Sequence, residues 1–394
     1  MQDAPFLIAG AGIGGLTTAL ALGRAGYPCL VIEQRTQIED VGAGLQLSPN
    51  ASRILINLGL EPILTRFAAT PERLQIQEGT SGETLSSMTL GATMMQRFGA
   101  PYWSIHRADL QTTLLDAVRG LGNVRLIFGR KVSAIVKNDD AGVVVTCSSA
   151  TQSEDVACRA LIGADGLWSN VADLIGTKTS PEFLGYQAWR GLVPIKHWPA
   201  HLPTTESRLW LGPKAHIVHY PVRRGGAINI VAVTSDTDNR PGWAHPGERE
   251  KILTRFREWA PDVKAALAAV PEWSVWSLFD RRERTQWGDK SVTLLGDAAH
   301  PVLPFLAQGA ALAIEDAATL AQEIAKSPDH PAEAFRRYEM QRRPRATKIQ
   351  DAARANGQAY HMRWPLSVAR NLVLRRSDLS KRYDWIYSFK NNEN

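Results

Sequence analysis

The chain has 394 residues, of which 44% are hydrophobic and 21% are charged, a composition typical of a globular protein with a substantial core. Its three cysteines are too few for a disulfide framework or a cysteine-based metal site, which favours free thiols in a reducing compartment. We find no run of 18 apolar residues and no basic leader, so we expect a cytoplasmic protein without a membrane span and without a metal.

The net charge of +6 is unevenly distributed along the chain. Residues 336–382 carry 13 Lys and Arg against 3 Asp and Glu, or +10, so the rest sums to −4. This excess of positive charge is typical of a solvated helical face, or of a surface whose electrostatic potential attracts anionic substrates and nucleotides. No nucleic-acid-binding motif accompanies it. The basic, apolar stretch 364–376 is interpreted as a helix that closes over the fold, or as a segment lying on a membrane.

The first elements in chain order form a strand–helix–strand unit. An apolar strand at Phe6–Ala9 leads into the stretch 10–15, "GAGIGG", and an apolar helix then runs to about Ala25. A second buried strand follows at Cys29–Ile32. The arrangement predicts a βαβ unit with a glycine-rich first turn.

Three glycines of that turn fit the pattern GxGxxG. Gly10 permits the tight turn, Gly12 lets the backbone approach a pyrophosphate, and Gly15 allows the helix to pack closely on the strand. Glu33 ends the second strand, where its carboxylate can accept hydrogen bonds from both ribose hydroxyls of an adenosine. The motif therefore predicts dinucleotide binding, and Glu33 favours FAD or NAD over NADP because it would repel a 2′-phosphate.

The remaining segments show two kinds of hydrophobic pattern. Buried-strand patterns occur at Leu126–Phe128, Gly142–Cys147, Ala160–Ala164 and Ser291–Leu295, with a turn predicted at 138–140 and a helix at Ala310–Lys326. Between about residues 181 and 279, short alternating segments predict a mainly antiparallel sheet, with strands at Ser207–Leu211, His216–Tyr220 and Ile228–Val233.

We therefore expect an α/β fold (α+β overall) with a Rossmann-like dinucleotide-binding domain and an inserted sheet domain. The first domain is predicted from three segments, 1–70, 100–178 and 285–330. The sheet domain, which would bind the substrate, is predicted at 71–99 and 179–284, and a C-terminal helical segment at 331–394.

Three motifs in this order resemble the fingerprints of the single-component FAD-dependent aromatic hydroxylases, the family of 4-hydroxybenzoate 3-hydroxylase. They are "GAGIGG" at 10–15, "GADG" at 163–166 and "GD" at 296–297. Within the family the chain most resembles salicylate hydroxylase and 3-hydroxybenzoate 6-hydroxylase, on "VGAGLQLSPNA" at 41–51, the Pro-x-x-Ala-Gln-Gly stretch at 304–309 and "YDWIY" at 383–387. The resemblance covers essentially the whole chain.

The resemblance implies FAD as the bound cofactor. Glu33 would hold the adenosine ribose, Arg107 the ribityl or phosphate portion, and Asp297 the ribitol or pyrophosphate. Asp165 would serve the pyrophosphate and the docking of NAD(P)H, and residues 42–44 and 304–310 would flank the isoalloxazine, with the N-terminus of the helix after Gln308 near its N1 and C2 carbonyl. The full set expected to bind the cofactor is Gly10, Gly12, Gly14, Gly15, Glu33, Arg35, Gly44, Arg107, Val132, Asp165, Asp297, Pro304, Gly309 and Ala310.

The resemblance also implies the reaction. NADH or NADPH would bind transiently, and the reduced flavin would react with O₂ to give a C4a-hydroperoxide that hydroxylates a hydroxylated aromatic or heteroaromatic carboxylate such as salicylate or 3-hydroxybenzoate. The alternative is a reductase or oxidase on the same scaffold that inserts no oxygen. From the resemblance we also expect a monomer or homodimer.

A phenolic substrate reacts faster as the phenolate, so a base near its hydroxyl is expected. The resemblance points to His216 on the strand His216–Tyr220, whereas strand alternation places His219 on the opposite face. We interpret His300 as part of a turn and Asp297 as a cofactor anchor, not as an acid–base pair. The residues predicted to contact the substrate are Gln46, Arg190, His216, Tyr220, Pro304 and Gln308, of which His216 and Gln308 are the catalytic candidates.

Overall fold

The computed structural model describes residues 4–38, 43–139, 141–177, 179–240, 244–281 and 283–391. Within these residues the strands are β1 (Phe6–Ala9), β2 (Cys29–Glu33), β3 (Gly44–Leu47), β4 (Arg73–Glu78), β5 (Thr84–Thr89), β6 (Trp103–His106), β7 (Val124–Phe128), β8 (Lys131–Asp139), β9 (Gly142–Ser148), β10 (Ser153–Cys158), β11 (Ala160–Gly163), β12 (Glu182–Pro194), β13 (Ser207–Gly212), β14 (Ala215–Val222), β15 (Ala227–Ser235), β16 (His245–Gly247), β17 (Trp273–Asp280), β18 (Gly288–Asp289) and β19 (Val292–Leu294). The α-helices are α1 (Ile13–Arg24), α2 (Pro49–Asn57), α3 (Glu61–Leu64), α4 (Gly91–Phe98), α5 (Arg107–Arg119), α6 (Asn170–Leu174), α7 (Arg249–Arg255), α8 (Pro261–Ala268), α9 (Gly309–Lys326), α10 (Pro331–Tyr360), α11 (Leu366–Arg376), α12 (Leu379–Arg382) and α13 (Asp384–Tyr387).

A six-stranded sheet with the order β18-β19-β11-β1-β2-β7 forms the centre of the nucleotide-binding part. The strands from β19 to β7 are parallel, and β18 pairs antiparallel at the edge. Every residue of β1 and β11 is buried, as expected for strands covered on both faces. Because the carboxyl ends of parallel strands meet at one edge, the segments that follow β1, β2, β11 and β19 come together there.

The inserted region forms an eight-stranded sheet with the order β16-β17-β12-β15-β14-β13-β4-β5. Its pairs are antiparallel except for β13 with β4, so the predicted mainly antiparallel sheet is confirmed. One face packs on α7 and α8 through a tryptophan-rich core that includes Trp189, Trp210 and Trp259. The other face of β14 presents His216 and Val218 towards the C-terminal part of the chain.

The C-terminal helices pack between the eight-stranded sheet and the nucleotide-binding part. The 30-residue helix α10 passes through Pro344 and packs on α9, and α11 and α12 pack on β5. In the described part of the chain, no helix combines the length and the hydrophobicity needed to cross a bilayer.

One local prediction was wrong. Asn138 and Asp139 end the nine-residue strand β8 instead of forming a turn, and residue 140 lies outside the described residues. The pairing of β8 with β9 has two register irregularities, which interrupt the alternation that would reveal the strand in the sequence. The overall α/β class with an inserted sheet and C-terminal helices is confirmed, while the domain boundaries stay predictions.

Candidate active site

The glycine-rich turn after β1 is shaped to bring backbone close to a ligand. Gly10 has a φ of +105°, and a Cβ there would lie 2.5 Å from the carbonyl oxygen of Ala164. A Cβ on Gly15 would lie 1.9 Å from the Gly10 carbonyl oxygen, so only glycine lets α1 approach the strand this closely. Gly12, the N-cap of α1, has nothing within 4 Å of a Cβ, which leaves open space in front of the helix N-terminus. This is a cradle for a phosphate group.

Glu33 lies at the end of β2, beside the same turn. Its carboxylate accepts hydrogen bonds from the backbone amides of Ala11 at 2.8 Å and Arg35 at 2.9 Å. These bonds orient the side chain and occupy one site on each oxygen, so further acceptor sites remain for ribose hydroxyls. A Cβ on Gly14 would meet the Leu295 side chain at 2.6 Å, so this glycine also allows close packing of α1, and its contact with the cofactor stays a prediction.

Asp297 and Arg107 line the same cleft from the β19 end. Asp297 follows β19 in a short 3₁₀ turn, Gly296–Ala298, and its side chain is exposed although protein surrounds it deeply. Burial raises the pKa of its carboxyl group, and the charges of His300 and Arg107 act in the opposite direction. Arg107 opens α5, and burial lowers its pKa while Asp297 raises it. An exposed carboxylate deep in the fold, beside a half-buried guanidinium, is typical of a ligand cleft.

Asp165 occupies the corresponding position after β11. Its carboxylate accepts hydrogen bonds from the hydroxyl of Ser169 at 2.5 Å and from the amides of Asn170 at 2.8 Å and Val171 at 3.0 Å, which tie it to the start of α6. The Asn170 side chain in turn donates to the carbonyl of Val132 at 2.6 Å. These bonds shape the loop beside the glycine turn, and the expected contacts of Asp165 and Val132 with the cofactor stay predictions.

The N-terminus of α9 forms the far end of the cleft. This helix has 18 residues and starts at Gly309, where a Cβ would find nothing within 4 Å. Pro304 begins the 3₁₀ turn that precedes it, and Ala307 adopts a left-handed φ of +54°. The helix therefore presents the free amides of its first turn, from Gly309 and Ala310 onward, towards open space with a positive dipole end. These observations fit a flavin with its pyrophosphate at Gly12 and its ring near Gly309.

A second cavity lies between the free face of the inserted sheet and the C-terminal helices. Four of the predicted substrate residues line it: His216 from β14, Gln46 from β3, and Pro304 and Gln308 before α9. Tyr102 also borders it and donates a hydrogen bond of 2.5 Å to Oε1 of Gln46. The cavity therefore adjoins the expected position of the flavin ring.

His216 is buried in this cavity wall and pairs with a second histidine. Its Nδ1 lies 2.8 Å from Nε2 of His361, just after α10. Burial, and then His361, lowers the pKa of His216 well below its ordinary value, so it is neutral at pH 7. His219 lies on the other face of β14, against Trp198, and contributes nothing to the cavity.

Gln308 is held by a buried chain of hydrogen bonds. Its Nε2 donates to the hydroxyl of Ser48 at 3.0 Å, and its Oε1 accepts from Nδ2 of Asn50 at 3.1 Å. Asn50 also donates to Glu315 at 2.6 Å, and Arg345 bridges to the same carboxylate. The amide plane of Gln308 is therefore oriented before any substrate binds.

Two predicted substrate residues lie outside the cavity lining. The Tyr220 hydroxyl donates to the Gly44 carbonyl at 2.7 Å, and Asn229 accepts from the Gly44 amide at 2.7 Å, so Tyr220 holds β3 in place. The guanidinium of Arg190 lies 4.5 Å from the centre of the Trp276 ring. Contacts of Tyr220 and Arg190 with substrate stay predictions. Gly42, expected beside the flavin, lies outside the described residues.

His300 makes a buried hydrogen bond, but not with Asp297. Its Nε2 lies 2.5 Å from Oδ2 of Asp316 on α9, which also accepts from Nε of Arg342 through its other oxygen at 2.7 Å. The network joins the loop after β19 to α9 and α10, which agrees with the interpretation of His300 as a residue of the turn.

Sequence reasoning missed Tyr102 in the cavity lining, and Asn50 and His361 behind it. Tyr102, Asn50 and His361 lie far along the chain from the groups they orient, and no local spacing connects them. Asn50 belongs to the stretch 41–51, and Tyr383 and Tyr387 belong to the stretch 383–387; both stretches carry the family resemblance. Their role near the substrate could have been inferred from that resemblance, since Tyr383 and Tyr387 also line the cavity.

Comparison with known proteins identifies the scaffold. Residues 3–353 match the family described as FAD binding domain. The chain belongs to this family. It is 36% identical over 386 residues to 3-amino-4-hydroxybenzoate 2-monooxygenase PtnB3 of Streptomyces platensis, with 97% of this chain and 95% of that protein covered. It is 33% identical over 388 residues to 3-hydroxybenzoate 6-hydroxylase of Klebsiella oxytoca, covering 98% and 96%.

Solved structures agree with this assignment. The chain superposes with a TM-score of 0.84 and 27% identity on Klebsiella pneumoniae HpxO complexed with FAD and uric acid, covering 98% of this chain and 96% of that one. A salicylate hydroxylase substrate complex gives a TM-score of 0.81 with 25% identity, covering 98% and 96%. The expected resemblance is thus confirmed, and the FAD-binding protein is a flavin-dependent monooxygenase that hydroxylates aromatic compounds.

Proposed function

We propose that the protein uses NADH or NADPH and O₂ to hydroxylate a phenolic aromatic carboxylate, with 3-hydroxybenzoate or salicylate as the first candidates. The observation that carries the proposal is the position of His216. Its neutral imidazole lies in the wall of a cavity, and the same cavity is lined by Gln308 and Pro304, which lie next to the expected position of the flavin. Bound FAD supplies the transfer of electrons from the nicotinamide and the activation of oxygen. The protein supplies the position of the ring, the base and the exclusion of water.

The base we propose is Nε2 of His216, because Nδ1 already faces His361. An imidazole kept neutral by burial can accept the phenolic proton and leave a phenolate, the more electron-rich and reactive form of the ring. Gln308, whose amide is held by Ser48 and Asn50, would orient the hydroxyl or carboxylate of the substrate.

The carboxylate would be bound by neutral donors. Besides the imidazole of His216, hydroxyl and amide groups provide the polar lining, among them Tyr102, Gln46 and Tyr383. Within the described residues no Lys or Arg lines the cavity. Recognition of an aromatic acid by tyrosine hydroxyls favours small substrates with one carboxylate over polyanionic ones. Analogues with an added phosphate are expected to bind poorly.

The experiment supplies FAD-loaded protein with NADH or NADPH, O₂ and a panel of hydroxybenzoates, aminohydroxybenzoates and hydroxypyridine carboxylates. We expect one class to stimulate nicotinamide oxidation and to appear as a hydroxylated product. Stimulation without a hydroxylated product would make the aromatic compound an effector and contradict the proposal, as would the absence of stimulation by every compound.

A matched pair of variants on β14 tests the base. His216→Ala is expected to lower the hydroxylation rate about 100-fold, while FAD binding and reduction by the nicotinamide persist. His219→Phe, the same residue type on the opposite face of the same strand, is expected to keep the wild-type rate. Wild-type hydroxylation by His216→Ala would remove His216 from the mechanism.

We also propose that the enzyme acts in the cytoplasm as a monomer or homodimer. Its three cysteines are buried and unpaired, which supports a reducing compartment.

A further inference from the structure

Beyond the substrate cavity, His361 is the feature that the proposed reaction leaves unexplained. It follows α10, 145 residues from His216 along the chain, and its Nε2 lies 2.8 Å from Nδ1 of His216. His361 is buried, and the ring of Tyr186 stacks on it at 4.6 Å with an angle of 24° between the planes. Its carbonyl accepts a hydrogen bond from the amide of Lys214, at 3.2 Å, in the turn just before β14. Backbone and ring contacts therefore hold His361 in one place beside β14.

Both imidazoles are neutral at pH 7. Burial, and then the positive charges of Arg255 and Arg370, lower the pKa of His361 to about 4. Burial, and then His361, lower the pKa of His216 well below its ordinary value. Among the described residues, the other titratable groups that face the pair are the phenols of Tyr186 and Tyr360, and the ring of Phe305 packs on both imidazoles. A single N–H therefore lies between the two rings.

The position of that proton decides what His216 can do. If His361 donates to Nδ1, Nε2 of His216 carries the proton of the neutral ring and cannot accept another. If His216 donates from Nδ1, its Nε2 is an open acceptor towards the cavity. The second arrangement also stabilises the imidazolium that forms when His216 takes a proton, because the Nδ1–H then donates a charge-assisted hydrogen bond to His361.

We infer that His361 is a positioning residue for the hydroxylation: it accepts the Nδ1–H of His216 and so keeps Nε2 of His216 free to take the phenolic proton. The arrangement requires the proton of His361 to lie on its own Nδ1. His361 does not touch the substrate and acts only through His216. This inference rests on the proposed function and adds to it the group that selects the tautomer of the base.

Two substitutions at one position separate a hydrogen-bonding role from a packing role. His361→Gln keeps an acceptor for the His216 Nδ1–H, whereas His361→Phe keeps an aromatic ring against Tyr186 but removes the acceptor. We expect His361→Phe to lower the hydroxylation kcat about tenfold or more, with FAD content and the rate of flavin reduction unchanged. We expect His361→Gln to stay within about threefold of wild type.

A more acidic substrate provides the readout that a general structural defect would not produce. A ring-fluorinated hydroxybenzoate ionises more readily, so it needs less help from the base. It should restore most of the lost rate in His361→Phe, and the phenolate absorption of the bound, unfluorinated substrate should be weaker in that variant than in wild type. A near-wild-type rate in His361→Phe, an equal loss in both variants, or no recovery with the fluorinated substrate would overturn the inference.

The outcomes also separate this inference from the function on which it rests. If the wild-type enzyme hydroxylates no phenolic acid, or if His216→Ala keeps full activity, the proposed function fails. If His216→Ala is impaired and His361→Phe is not, the proposed function stands and only the role of His361 is rejected.

Discussion

Neighbouring glycines of the turn after β1 differ in the space around them. Gly12 and Gly15 belong to the same motif, yet their surroundings differ, because a Cβ on Gly12 meets nothing within 4 Å and a Cβ on Gly15 meets the Gly10 carbonyl at 1.9 Å. One glycine keeps space open for a ligand and the other keeps two backbone segments in contact. The sequence motif alone assigns these roles only in outline.

This difference predicts opposite effects of the same substitution. Gly12→Ala should raise the Kd for FAD about tenfold, or about 1.4 kcal/mol, with the apoprotein unfolding at nearly the same denaturant concentration as wild type. Gly15→Ala should destabilise the apoprotein itself, because α1 has to move away from β1. Fluorescence titration with FAD and urea unfolding of both apoproteins measure the two effects. Equal destabilisation by the two substitutions would contradict this account of the turn.

The substrate side was less predictable than the cofactor side. The glycine motif and Glu33 are close in sequence, so spacing reveals their joint role. By contrast, the environment of His216 is completed by His361 and Tyr360, residues from another part of the chain that only tertiary packing brings together. The resemblance to a known family identified His216, and the sequence contained no local signal for its partner.

Helices α9 and α10 are joined by buried ion pairs. Asp316 on α9 accepts from His300 and from Arg342 on α10, and all three side chains are buried. Burial alone would raise the pKa of Asp316, but His300 and Arg342 outweigh it and lower the pKa to about 2 from 3.8. Because the folded pKa is lowered, the carboxylate stabilises the fold above about pH 4, and this contribution is lost as the pH falls towards 2.

The network predicts a large and pH-dependent effect of Asp316→Asn. At pH 7 the substitution should reduce the free energy of unfolding by about 3 kcal/mol, since it removes one of the two buried carboxylates that pair with Arg342. The difference from wild type should shrink as the pH falls from 4 towards 2. Asp351→Asn is the control, because Asp351 pairs with Arg354 in an exposed i,i+3 ion pair and its loss should be nearly neutral. Guanidinium unfolding at several pH values provides the measurement, and a difference that grows on acidification would refute the assignment.

Strand and helix elements were predictable where their patterns were regular. The buried strands β1, β2 and β11 and the helix α9 agree with the sequence analysis, because each is continuous and its neighbours in space cover it evenly. Strand β8 was missed because its register irregularities break the alternation. Irregular pairing, not weak hydrophobicity, limited the prediction there.

The fold brings two sites together from opposite sides. The parallel sheet presents the glycine turn, Glu33 and Asp297 at one edge, and the inserted sheet presents His216 towards the same region. The segment between Pro304 and Gly309 lies at the junction, since it lines the cavity proposed for the substrate and leads into the helix whose N-terminus is expected to face the cofactor. In the proposed reaction, this arrangement would place oxygen chemistry at the flavin beside the ionisation of the substrate.

Incorporation of labelled oxygen tests this account most directly. The FAD-loaded protein is incubated with ¹⁸O₂, NADH or NADPH, and the phenolic acid that stimulates the oxidation of the nicotinamide. The mass of the aromatic product is then measured by mass spectrometry. The account predicts a product that contains one ¹⁸O atom on the ring, formed by the wild type and strongly reduced in His216→Ala. Oxidation of the nicotinamide with all of the ¹⁸O recovered as hydrogen peroxide and water, and none in the aromatic product, would contradict it.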